Sequence, residues 1–212
     1  MRDFFTPPTE TNFQAESNDT TELLKAWALT SLAFAIHMLG GNFQLISFLP
    51  KILAISALTC GIGFVLHELA HRYVARYFGA EAHFIAETRW LLLSVALAFL
   101  GWFIAAPGAV WHRGYLTKQQ SGLIALAGPV ANLLIALSFL LLSFFVGKAS
   151  FWLLTIQTGY QINAWLGLFN LIPAGPFDGA KVYEWNPLVF GVTAVLAGGM
   201  VYVLPGFLSL SF

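Results

Sequence analysis

Charge is what this chain has least of. Ten lysines and arginines and ten aspartates and glutamates are all that 212 residues carry, 9% in total, and they cancel. Soluble domains usually hold about 25% charged residues. A water-facing surface cannot be built from so few charges, so lipid has to cover much of the molecule. The neutral balance supplies no basic face for a phosphate backbone, which excludes nucleic acid as a partner. A single cysteine, Cys60, rules out an internal disulfide. It reads as a small apolar packing residue. Acids are scarcest beyond Glu22, where only Glu68, Glu81, Glu87, Asp178 and Glu184 remain.

What the chain does have is apolar sequence, 58% of all residues. A bilayer core about 30 Å thick takes about 20 apolar residues as helix. Runs of this kind occupy about Leu23 to Leu39, Pro50 to Phe78, Gly122 to Val146, Phe151 to Ile172 and Leu188 to Leu208, with an ambiguous sixth over Trp90 to Ala106. None alternates as a barrel strand would, and lipid forces backbone groups to bond within a helix. The expected fold is therefore all-α: a polytopic bundle of about six apolar segments, one of them re-entrant if Trp90 to Ala106 turns back at Pro107-Gly108. Residues 1–21 are polar and read as a flexible tail, leaving 22–212 as one membrane domain; no cleavable signal peptide is visible.

Three ionisable residues interrupt the second run as His67-Glu68-Leu69-Ala70-His71. Four residues apart on a helix is about 6 Å along the axis and the same face. Two imidazoles so placed can hold one zinc ion, and the intervening glutamate can serve as general base toward a metal-bound water. Ionisable groups at membrane depth are costly and point to function. A catalytic zinc takes a third protein ligand and keeps one position open. Asp178 is the candidate, in a stretch that two prolines and two glycines keep out of regular helix, Asn170-Leu171-Ile172-Pro173-Ala174-Gly175-Pro176-Phe177-Asp178-Gly179. His37 is the competing ligand. The Asn170 amide can donate to a developing oxyanion. Gly128-Pro129-Val130-Ala131-Asn132 opens the fourth run; Asn132 either binds substrate backbone or bonds a neighbouring helix.

These residues resemble the site-2 protease family of intramembrane zinc metalloproteases. His67 to His71 matches that family's HExxH motif, Asn170 to Gly179 its NxxPxxPxDG motif, and Gly128 to Asn132 its intervening Gly-Pro helix. The resemblance spans about Ile52 to Gly179. It implies one zinc ion on His67, His71 and Asp178, Glu68 activating water, Asn170 steadying the tetrahedral intermediate, and membrane-spanning or membrane-associated peptides as substrates. The chain departs from compact members in the apolar stretch Trp90 to Ala106, and no PDZ-like insertion is present. Zinc proteases of prenylated proteins also use HExxH but take a glutamate as third ligand, for which only Glu184 is placed. The rival functions are a membrane metal transporter using the His/His/Asp site and an inactive relative that binds membrane peptides.

One ion reached by both motifs calls for an even number of crossings between them, which either a returning Trp90 to Ala106 or a full span there offset by a re-entrant Pro107 to Tyr115 provides; the first option is the simpler. Arg72, Arg76, Arg89, Arg113, Lys118 and Lys181 then share one side, opposed by Lys51 and Lys148. The positive-inside rule makes that side cytoplasmic. The expectation is a multi-pass protein of a prokaryotic plasma membrane with its site nearer the cytoplasm.

Overall fold

A computed structural model describes residues 19–105, 108–146 and 151–207. The chain is helical where its apolar runs lie. Helix α1 covers Asp19–Met38. Helix α2 (Leu49–Ser56), a π turn (Ala57–Gly61) and α3 (Ile62–Tyr77) run on as a single rod. Helix α4 covers Thr88–Ala98, α5 Lys118–Ser143, α6 Phe151–Asn170, α7 Asp178–Trp185 and α8 Pro187–Gly198; α8 continues through a second π turn (Gly199–Val203) into α9 (Leu204–Phe207). Two helical stretches are long and apolar enough to cross a bilayer, Phe43–Tyr77 and Lys118–Ser143. Residues 1–18 of the expected tail lie outside the described residues. Its last three, Asp19 to Thr21, are helical.

One element was not expected. The connections on either side of the ambiguous run form an antiparallel pair, β1 (Glu81–Ala86) and β2 (Gly108–Arg113), in register from Glu81 opposite Arg113 to Ala86 opposite Gly108. Strand β1 buries Ala82, Phe84 and Ala86 and turns Glu81, His83 and Ile85 outward. That period of two is legible in the sequence, but the charges at Glu81, His83 and Arg113 read as a solvated loop. Phe84 and Ala86 pack with Ala26 of α1 and Phe64 of α3. Trp90 to Ala106 is thus an excursion from the ladder. Helix α4 has 11 residues, about 16 Å, and the described chain to Ala105 is not helical.

Helices α5 and α6 form the closest pair. Ala136 and Ala164 are fully buried between them, and a Cβ on Gly159 would stand 2.6 Å from the Phe139 ring, so small residues set the approach. A capping box of Thr117 and Gln120 fixes the start of α5. Several polar side chains are buried while large apolar ones face outward. Thr30, Ser31, Ser56, Thr59, Asn132 and Asn163 are inside, while Leu134, Phe144, Trp152 and Val195 are more than half exposed.

Candidate active site

Helix α3 carries His67, Glu68 and His71 inward, exposed 5%, 6% and 7% respectively. Helix α5 lies across them. Its Gly128 is what lets the two imidazoles converge: a Cβ there would sit 2.3 Å from His71 Nε2 and 2.5 Å from His67 Nε2. Any side chain at residue 128 would fill the space between the rings.

The third group arrives from α7. After α6 ends at Asn170, the chain turns through Pro173, Gly175 (φ +60°) and Pro176, and Asp178 opens α7. Gly179 has no room for a side chain, because a Cβ would lie 2.3 Å from the Leu171 carbonyl group. The two glycines therefore permit the tight return that brings Asp178 back over α3. Asp178 Oδ2 stands 3.2 Å from His67 Nε2 and 3.2 Å from His71 Nε2, and the two Nε2 atoms are 2.9 Å apart. The first-turn position places the anion at the positive end of the helix dipole.

Both imidazoles are turned by bonds at the far nitrogen. His71 Nδ1 is 2.7 Å from the Ile124 carbonyl oxygen, and His67 Nδ1 is 2.6 Å from Asn132 Oδ1. A carbonyl can only accept, so Nδ1 carries the hydrogen in each ring and Nε2 presents a lone pair. Two imidazole lone pairs and a carboxylate oxygen then converge with no hydrogen between them in the neutral form, which suits a cation. The triangle also has the right size. Tetrahedral zinc with ligands at about 2.0–2.1 Å places them about 3.3 Å from one another, against the 3.2, 3.2 and 2.9 Å found. His67, His71 and Asp178 form the metal-capable group among the described residues.

A cavity of about 150 Å³ opens on this group, lined also by Glu68, Val110, Asn170, Pro176 and Lys181. Val110 of β2 and Glu68 of α3 line the same cavity. The unexpected strand thus reaches the site, and no metal-ligand spacing could have disclosed it. Asn170 Nδ2 donates to Leu166 O at 3.0 Å. Asn132 is fully buried; besides His67 it contacts Gly63 O at 3.2 Å and Asn163 Oδ1 at 3.0 Å. Asn163 was missed, because a lone asparagine in an apolar helix has no motif around it. Lys181, read only as a topology charge, lines the cavity three residues after Asp178.

The competing ligands stand elsewhere. His37 bonds Gly101 O at 3.1 Å, stacks on Phe34, meets Phe103 at a tilt, and lines a second cavity of about 570 Å³ with Gln161, Trp165 and Phe169. Glu184 is exposed on α7 and outside the metal-capable group. Cys60 is fully buried against Phe34, Ile162 and Leu166.

Comparison with known proteins agrees with the geometry. The chain is 38% identical over 181 residues to "Putative zinc metalloprotease MJ0611" of Methanocaldococcus jannaschii, covering 83% of this chain and 91% of that protein. It is 32% identical over 150 residues to "Putative zinc metalloprotease YwhC" of Bacillus subtilis, covering 60% of this chain and 66% of the relative. With "Zinc metalloprotease MJ0392" of M. jannaschii it shares 31% identity over 57% of this chain, 31% of that longer protein. No protein-family description and no solved structure matches the chain. A near-full-length likeness to a zinc metalloprotease, joined to a His-Glu-His helix that meets an aspartate from a Pro-Gly turn, leads to one assignment: the chain belongs to the site-2 protease family of zinc metalloproteases.

Proposed function

We propose that this protein hydrolyses peptide bonds of membrane-spanning or membrane-associated substrates at a single zinc ion held by His67, His71 and Asp178. The observation that carries the reading is the triangle of ligand atoms on α3 and α7, with the Gly128 clearance beside it. Zinc, when bound, polarises a scissile carbonyl and brings the pKa of a bound water toward about 7. Glu68, in the same cavity, takes the proton of the attacking water on its carboxylate and passes it to the leaving amine nitrogen. Asn170 has two N–H donors on its amide; the bond to Leu166 uses one and leaves one for an oxyanion.

Membrane depth is supported by the many large apolar side chains that face outward and by the two long apolar helices. We read Trp90 to Ala106 as re-entrant. The pairing of Ala86 with Gly108 returns the chain to its starting level, and α4 is about half the length a crossing needs. Two crossings, α5 and α6, then separate the motifs, and Arg72, Arg76, Lys118 and Lys181 share a cytoplasmic side. The larger cavity meets the active-site cavity at Ala105 and Leu166, which line both. It gives an apolar peptide its way in from lipid.

The test is a paired measurement on purified protein in detergent or vesicles. Glu68→Gln is expected to keep zinc and lose cleavage of an unfolded apolar peptide. Asp178→Ala is expected to lose zinc. Transport of zinc by Glu68→Gln at the wild-type rate would replace the peptidase reading with the transporter.

A further inference from the structure

Asn163 on α6 is not part of the ligand triangle, yet it belongs to a chain of hydrogen bonds that ends on His67. The chain begins at the backbone. Asn163 Nδ2 donates to Gly159 O at 2.8 Å and lies 3.5 Å from Thr59 O. Thr59 lies in the π turn of the rod that carries the HExxH motif, where the regular i→i−4 ladder is broken. Backbone carbonyls only accept, so the nitrogen of the Asn163 amide must face them and the oxygen must face the other way. That oxygen receives Asn132 Nδ2 at 3.0 Å. Asn132 Nδ2 also donates to Gly63 O at 3.2 Å. With its nitrogen committed twice, Asn132 can offer His67 only its oxygen, 2.6 Å from Nδ1.

Each step has one permitted direction, and both asparagines are fully buried, so water cannot reverse either amide. The outcome is a single tautomer of His67, with hydrogen on Nδ1 and the lone pair on Nε2, the atom facing His71 and Asp178. His71 needs no such device, because its Nδ1 meets the Ile124 backbone carbonyl directly. Gly63 makes the arrangement possible: a Cβ there would lie 2.1 Å from Asn163 Oδ1.

We infer that Asn163 is a positioning residue for zinc binding, acting through Asn132 to fix which nitrogen of His67 faces the metal. The inference rests on the zinc reading above. Partners of this kind commonly change metal affinity by about 10–100-fold.

The experiment measures zinc affinity of full-length protein by chelator competition. Asn163→Leu keeps shape and removes the polar relay; its zinc affinity is expected to fall about 10-fold, with KM for a peptide unchanged at saturating zinc. Asn132→Asp supplies the second arm. A carboxylate offers His67 an acceptor whichever way it turns, so this variant holds the tautomer without Asn163. Adding Asn163→Leu to Asn132→Asp is therefore expected to cost no further zinc affinity. Equal losses in both backgrounds would assign Asn163 a packing role and overturn the inference, as would wild-type zinc affinity in Asn163→Leu alone. Zinc-binding wild-type protein that cleaves no peptide would overturn the peptidase reading and leave this one standing. Wild-type protein that binds no zinc would overturn both.

Discussion

Two cavities meet at Ala105 and Leu166, and they are built on opposite principles. The smaller, about 150 Å³, holds converging polar atoms whose directions are fixed by backbone carbonyls and by a missing side chain at Gly128. The larger, about 570 Å³, is lined by Phe34, Phe103, Trp165 and Phe169, and its histidine, His37, stacks on Phe34. One residue type serves both places. His67 and His71 can act as metal ligands because their far nitrogens are bonded inside the protein and their near ones face a carboxylate. His37 spends its Nδ1 on Gly101 and, among the described residues, belongs to no metal-capable group with an acid. Histidine alone, then, does not make a metal site in lipid; the partner at the second nitrogen and an anion at the first do.

The contrast can be broken experimentally, and the largest effect is expected at Glu68. Removing a general base costs about 10²–10⁴-fold in rate, so Glu68→Gln is expected to reduce kcat for peptide cleavage within that range while zinc content stays at one ion per chain. Gly128→Ala comes next. Its added methyl would stand within 2.5 Å of both Nε2 atoms, so metal analysis is expected to find the protein without zinc; full zinc occupancy would show that the rings can move apart. In the larger cavity, Trp165→Ala is expected to raise KM several-fold and to leave zinc content alone, and His37→Phe is expected to leave zinc content alone as well. A loss of zinc from His37→Phe would erase the distinction between the two histidine environments.

The smallest effect is expected at the start of α1. Asp19 contacts Arg72 at 2.8 Å, Arg76 at 3.4 Å and His83 at 3.1 Å, tying α1 to the end of α3 and to β1. These partners are partly exposed, and such pairs contribute about 0.2–1 kcal/mol each. Asp19→Asn is expected to lower the thermal midpoint by a few degrees, less in high salt, with zinc content unchanged.

Much of this protein could be read from its letters. Five of the six apolar runs gave their helices to within about four residues, because lipid leaves a long apolar segment no other way to satisfy its backbone; the sixth, Trp90 to Ala106, is helical only as far as Ala98. His67, Glu68 and His71 were legible because one helix fixes their spacing. Asp178 followed from scarcity, since a broken segment deep in apolar sequence held one of the few acids available. The β1–β2 ladder was not legible. Its alternation is short, its outward residues are charged, and pairing depends on residues from Glu81 and Arg113 meeting across the intervening run.

What sequence alone determined is the membrane-compatible composition, the helical content and the HExxH chemistry, all set by local spacing and by an apolar solvent. Only the tertiary structure decided which asparagine holds which histidine, why residue 128 is glycine, and that His37 lies apart from the metal group. Those facts depend on distances between helices far apart in the chain, and distances of that kind are fixed by packing rather than by any periodicity along the sequence.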